Sequence, residues 1–198
     1  SCENNLFRAM GLDYVYVDKG NDLSSLIEAF RKVKDTNHPV VVHINTLKGK
    51  GYAPAEEDKE TWHWTMPFEI STGALKQKNI GEDYNSLTAA HLLQRMKDDK
   101  TVCAITAGTP GIWGWTPARR QEAGKQFVDV GIAEEHAVAL ASGMAKAGGK
   151  PVFGVCSSFL QRAYDQVSQD LCINDNPATL LVLWGSLTSM TDVTHLCH

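Results

Sequence analysis

The chain has 198 residues, of which 43% are hydrophobic and 21% charged, and its formal net charge is −4. That balance describes a globular protein of one or two domains and gives no footing for nucleic acid or an anionic membrane surface. No stretch approaches the ~20 apolar residues of a membrane span. Five scattered cysteines, Cys2, Cys103, Cys156, Cys172 and Cys197, form no CxxC pair, which argues against a disulfide framework or zinc site and fits a reducing cytoplasm.

In chain order, "NNLFRAMGLDYVYV" predicts a short helix stopped at Gly11 and then a strand. "NDLSSLIEAFRKVKD" predicts a helix capped by Asn21 or Asp22, with Leu23, Leu26, Ile27, Phe30 and Val33 at helical spacing. "HPVVVHINTL" has the β-branched continuity of a strand buried on both faces. The loop "KGKGYAPAEEDKE" follows, and residues 65–82 have too little periodicity for anything but a connection.

A second unit opens with "DYNSLTAAHLLQRMKDD", a helix with Leu87, Ala90, Leu93 and Met96 expected on one face. Strand "TVCAIT" comes next, then the loop "AGTPGIWGWTPARR", strand "QFVDV", a helix over 134–147 and strand "PVFGVC". Helix "FLQRAYDQVSQDLCI" and strand "ATLLVLW" complete it. Strands alternating with crossover helices predict an α/β fold of two partial parallel-sheet units flanked by helices. Both ends are expected to be cut, since the few strands leave open sheet edges; the chain then reads as an internal segment of a longer protein or one polypeptide of a split enzyme.

The chemistry centres on "VDVGIAEEHAVALASG". Glu134 falls where a strand turns into a largely apolar helix, at the carboxyl edge of the sheet where ligands of parallel α/β folds sit. On position alone the plainer reading, an acid facing the helix macrodipole, is the stronger of the two. The segment "DVGIAEEHAVALASGMAKAGGKPVFGVCSSFLQRAYDQVSQDLC" resembles the pyrimidine-binding domain of the 1-deoxy-D-xylulose 5-phosphate synthases, thiamine-diphosphate enzymes of the transketolase superfamily. "PVVVHINTLKGKGYAPAEEDKETWH" resembles the end of their diphosphate-binding domain. The resemblance implies a diphosphate-binding part over residues 1–66, a linker over 67–82 and a pyrimidine-binding part over 83–198.

It also implies roles. Glu134 is the acid that hydrogen-bonds the cofactor's aminopyrimidine; in a dry apolar pocket it keeps its proton and turns the ring's 4′-nitrogen into a base that activates the thiazolium. Phe159 stacks on that ring. Arg162, one helical turn on, is placed to fork onto a substrate phosphate or to make a surface ion pair. His63, in "TWHW" between Trp62 and Trp64 that would desolvate it, handles substrate protons, and His195, in "DVTHLC", is another active-site histidine. Tyr52 lines the thiazolium pocket, and Lys48 and Lys50 either meet phosphates or are solvated. Glu135 faces solvent or a neighbouring subunit, and His136 is expected to pack along its helix.

Three departures bear on the substrate. Where the family carries an arginine and a tyrosine, this chain has Trp184 and Cys156, and "GSLTSMTD" rewrites the stretch before His195. Loss of one charge-assisted phosphate contact, worth about 1.5–3 kcal/mol, points to a different acceptor. No GDG motif for Mg2+ occurs in the sequence, so no metal ligand is assigned; the Mg2+ site is expected in a segment outside this chain, which alone would be inactive. The resemblance thus implies a transferase of isoprenoid precursor biosynthesis that joins a 2-keto donor to an aldehyde or sugar-phosphate acceptor. The chain would work as a homodimer or be completed by a diphosphate-domain segment. A transketolase moving two-carbon ketol units is the close alternative, and a non-catalytic assembly partner the distant one.

Overall fold

The computed structural model describes residues 5–76 and 82–185. It divides into two units, Ser1–Asn79 and Ile80–His198. Both carry parallel sheets with helical crossovers, so the α/β class read from the sequence holds.

In the first unit helix α1 (Leu6–Ala9) leads into strand β1 (Asp13–Val17), helix α2 (Leu23–Val33), strand β2 (Val40–Ile44) and helix α3 (Ala53–Glu57). Asp22 is the cap of α2: its carboxylate accepts from the Ser25 amide at 2.8 Å and the Ser25 hydroxyl at 2.6 Å, satisfying a donor the first turn leaves open. Asn21 instead accepts from the Leu47 amide at 2.6 Å and ties together the loops that leave β1 and β2. The two strands pair in parallel from Asp13 opposite Val40 to Val17 opposite Ile44. With two strands there is little to cover β2, and its expected burial on both faces is corrected: Val40, Val41 and Val42 are half-buried, His43 and Ile44 exposed. Helix α2 buries Ala29 and half-buries Leu26 and Val33, while Leu23, Ile27 and Phe30 stay exposed. Within this unit the helix therefore presents an apolar stripe to its outside.

The second unit contains helix α4 (Tyr84–Asp98), strand β3 (Val102–Thr106), helix α5 (Pro117–Ala123), strand β4 (Phe127–Asp129), helix α6 (Glu134–Lys146) and strand β5 (Lys150–Cys156). Then comes a helical run made of α7 (Ser157–Leu160), a 3-10 turn (Gln161–Ala163), α8 (Tyr164–Gln166) and a π stretch (Val167–Ile173), and finally strand β6 (Thr179–Leu183). The sheet is parallel, in the order β4-β3-β5-β6. From β3 the chain steps outward to β4, then crosses back over β3 to β5, so the direction of winding reverses between β3 and β5.

Alternation along the strands splits the core into two layers. Val102 and Ala104 face α4, Trp113, Trp115 and Ala123, whereas Ile105, Phe153 and Val155 face Ala137, Val138 and Ala141 of α6 together with Ala163 and Leu171. The buried face of α4 is Ala89, Leu93 and Met96, with Leu87 and Ala90 exposed. The expected stripe of Leu87, Ala90, Leu93 and Met96 is corrected because strict three-residue spacing falls short of the 3.6-residue turn, so such a row spirals around the helix instead of staying on one side.

The segment read as a loop over 107–120 is more ordered than its composition implies. Thr116 caps α5 by accepting from the Arg119 amide at 3.3 Å, and Pro117 occupies the first helical position, where a missing N–H costs nothing. Trp113 and Trp115, both 0% exposed, pack edge to face with ring centroids 5.7 Å apart. Gly114 between them has φ +81°, and a Cβ there would lie 2.8 Å from the Ser86 Cα. Arg119 fastens this turn to α4, donating to the Gly114 carbonyl at 2.7 Å and the Ser86 hydroxyl at 3.1 Å.

Candidate functional site

The carboxyl ends of β3 and β5, where the winding reverses, are where a parallel sheet of this topology opens a crevice. Three features of the sequence converge on it. Strand β4 ends in Asp129, whose carboxylate accepts from the Gly108 amide at 2.8 Å and the Gly131 amide at 3.0 Å. This clamps the turn after β3 to the turn that enters α6. The first residue of α6 is Glu134, and the residues behind it along the buried face, Ala137, Val138, Ala141 and Ser142, are small. Small side chains let the helical run after β5 come close: Ser142 donates to the Asp170 carbonyl at 2.7 Å, and the Asn176 amide donates to Ser142 at 2.8 Å.

That close packing brings Arg162 onto Glu134. Its Nη1 donates to both carboxylate oxygens at 3.1 Å, and its guanidinium carbon lies 5.3 Å from the centroid of the Phe159 ring, within reach of a cation–π contact. The Glu134 side chain is 2% exposed and that of Arg162 46%. Glu134 is thus neither a solvated helix-terminal acid nor a carboxyl group among apolar side chains only. The expectation of an uncharged pocket is corrected: the buried acid has a cationic partner that also meets water. Of the two roles open to Arg162, a substrate phosphate or an ion pair, the structure shows an ion pair, and its partner is a buried carboxylate and not a surface one.

Cys156 ends β5 opposite Leu183 of β6 and is fully buried. Burial, and after it the charge of Glu134, push its thiol up to about 11 from an ordinary 9.0. At neutral pH this leaves about a hundredfold less thiolate than an unperturbed cysteine has, and the thiolate is the nucleophile. Iodoacetamide at pH 7.5 is therefore expected to label exposed Cys172 while Cys156 stays unlabelled until the protein unfolds, as followed by peptide mass mapping; labelling of both at equal rates contradicts this environment. Trp184 follows β6 at the same edge with φ +56°, a conformation bulky side chains rarely adopt, and its carbonyl accepts from the Ser157 hydroxyl at 3.1 Å. Cys156 and Trp184 therefore lie at the carboxyl ends of the neighbouring strands β5 and β6.

Glu134, Phe159 and Arg162 are brought together within the second unit. Tyr52 and His63 belong to the first unit. Tyr52 packs against Trp62 and Phe68, at ring-centroid distances of 5.0 and 5.8 Å, and donates its hydroxyl to the Ile70 carbonyl at 3.0 Å. His63 ends a 3-10 turn (Thr61–His63) and pairs through Nδ1 with the Lys48 ammonium. Within this unit His63 is exposed and Trp64 is 60% exposed, so the expected desolvation by flanking tryptophans is corrected: Trp62 turns instead toward Tyr52 and Phe68. His195 lies outside the described residues. His136 is exposed rather than packed, and Glu135 is exposed. Among the described residues no group of three or more His, Cys, Asp or Glu side chains is placed to hold a metal ion, and no helix is long and apolar enough to cross a membrane.

Residues 83–193, more than half of the chain, match the family model described as the transketolase pyrimidine binding domain. Residues 1–46 match the model described as 1-deoxy-D-xylulose-5-phosphate synthase. The chain is similar to proteins bearing that synthase name from Halothermothrix orenii, 40% identical over 190 residues, and Natranaerobius thermophilus, 39% identical over 191; in both cases 96% of this chain and 30% of the relative are covered. A third, from Nitratiruptor, is 43% identical over 170 residues, covering 86% of this chain and 28% of the relative. The chain thus spans about 30% of the length of the curated relatives it matches.

Proposed function

Because the chain belongs to the transketolase pyrimidine-binding-domain family, we propose that it is part of a thiamine-diphosphate-dependent transferase similar to 1-deoxy-D-xylulose-5-phosphate synthase, joining a 2-keto donor to an aldehyde acceptor. The observation that carries this reading is the buried Glu134 carboxylate with the Phe159 ring at its side, bridged by one planar cation. A buried acid beside an aromatic face suits a flat heterocycle that needs a hydrogen bond at its edge and a surface to stack on. When bound, thiamine diphosphate supplies a nucleophilic carbon, chemistry that no side chain provides.

In this reading the chain's own residues bind and orient. Glu134 holds a proton at the ring nitrogen nearest to it, and burial keeps water from competing for that bond. Phe159 fixes the plane of the ring. Trp184 and Cys156, in place of an arginine and a tyrosine, leave the acceptor side of the crevice more apolar, which favours an acceptor with less anionic charge than a sugar phosphate. Residues 1–66 are assigned to a diphosphate-binding part that contributes Tyr52 and His63, residues 67–82 to a linker and 83–198 to the pyrimidine-binding part, with His195 as another active-site histidine. Mg2+, with ligands from a diphosphate-domain segment or a second copy of the protein, belongs to the same proposal, as does a place in the cytoplasm.

Donor assays on the assembled enzyme test it. Pyruvate turnover with release of CO2 and formation of a ketose supports the synthase-like reaction. Ketose turnover without CO2 moves the assignment to two-carbon transfer, and no turnover with either donor overturns the enzymatic reading.

A further inference from the structure

Arg162 makes with one planar group both contacts that a ring ligand would need. Its guanidinium lies over Phe159 at 5.3 Å, and a single nitrogen donates to both oxygens of Glu134. We propose that Arg162 is a displaceable plug of the ring site: its guanidinium stands where the aminopyrimidine would stack and bond, and it swings out as the ring enters. This rests on the reading of Glu134 and Phe159 as the ring's partners.

Burial sets the order of the layers. The Glu134 side chain is 2% exposed and the Arg162 side chain 46%, so the cation stands between the acid and solvent, and an approach to the carboxylate from that side meets the guanidinium first. The cost of moving it is unequal for the two partners. The half-exposed guanidinium regains water on swinging outward, whereas the buried carboxylate, left without a donor, pays the desolvation that the ion pair had offset. The plug therefore stays in place until the ring arrives and the carboxylate takes up a proton from water in place of the departing cation, so that the neutral acid can donate to the ring nitrogen; this makes the step an exchange of cation for proton and ring rather than a simple opening. A flat heterocycle with polar edge groups replaces both lost contacts; an apolar ring replaces only the stacking.

The backbone around Arg162 is suited to such a move. It sits in the 3-10 turn Gln161–Ala163, between two short α-helical pieces and ahead of the π stretch Val167–Ile173. Changes of hydrogen-bond pattern within a helical run mark places where local geometry is not locked by one continuous ladder. Whatever the order of events, displacing the plug subtracts from ring affinity, and a cost equal to a nine-to-one preference for the closed arrangement weakens ring binding about tenfold.

The test uses the ring half of the cofactor alone, 4-amino-5-hydroxymethyl-2-methylpyrimidine, so that no metal is needed, with binding measured by calorimetry and saturation-transfer NMR. Arg162→Ala is expected to bind this ring about tenfold more tightly than the wild type, and added guanidinium chloride at low millimolar concentration is expected to compete in the variant only. Arg162→Lys, which keeps a charge near Glu134 but lacks the planar group, guards against misfolding; it should bind the ring with intermediate affinity and keep the wild-type near-UV circular dichroism. Equal or weaker binding in both variants overturns the plug while leaving the ring site in place. Ring binding that is unchanged by Glu134→Gln, or absent from every variant, overturns the ring-site reading itself and the plug with it.

Discussion

In the assembled enzyme, Glu134→Gln is expected to lower kcat by about 10²–10⁴-fold, the usual contribution of a positioned acid–base group, with little change in thermal unfolding. Glutamine preserves the shape of the side chain and an oxygen for Arg162, but its amide neither gives up nor takes on the proton that the chemistry needs. The fold tolerates the change because the partner left behind is the half-exposed guanidinium, which recovers solvent. If the loss is confined to kcat while KM for the donor holds, the missing interaction belongs to the transition state rather than to substrate binding. Steady-state kinetics and a thermal melt monitored by circular dichroism on the same preparation decide the matter. A variant within tenfold of wild-type kcat removes Glu134 from the chemistry.

The largest structural effect is expected at Gly154, in the middle of β5. The indole of Trp113 lies flat against this position: a Cβ added to residue 154 would sit 2.4 Å from Trp113 Cε2 and 2.5 Å from Cδ2. Neither partner can yield easily. Gly154 is held in register between Thr106 of β3 and Leu181 of β6, and Trp113 is fully buried against Trp115. Gly154→Ala should therefore destabilise the protein by about 3 kcal/mol, the upper end for an overpacked core, read as a lower urea midpoint at unchanged slope. Trp113→Phe removes the fused ring atoms that clash and also a buried indole N–H that has no hydrogen-bond partner among the described residues. The double variant is expected to recover much of the loss, since residues in contact do not behave additively. An alanine at 154 with wild-type stability, or two losses that simply add, contradicts this packing.

Different parts of the site were legible to different degrees. Glu134 stood out because an acid at the start of an apolar helix is a local pattern, and Phe159 because it follows a strand in a specific motif. The cap and proline at Thr116–Pro117 marked α5 equally plainly, yet the surrounding glycines and tryptophans gave the segment the look of a loop. Pro54 in the first turn of α3 was a similar signal. The stripe on α4 was misplaced because four residues spaced by three do not share one side of a helix. His63 was expected to be shielded because its neighbours in the chain are tryptophans, but adjacent residues on a turn point in different directions.

The sequence by itself determined the alternation of strands and helices and the α/β class, because propensity, periodicity and turn chemistry act over a few residues at a time; the candidate site residues came from the motifs that carry the family resemblance. Only the tertiary structure decided that β3 lies between β4 and β5, that Arg162 reaches back 28 residues to Glu134, and that Gly154 leaves room for Trp113. Those pairings depend on which strands lie side by side and on how closely small side chains let a helix approach. Both are properties of the packed core as a whole, with no signature in any short stretch of chain.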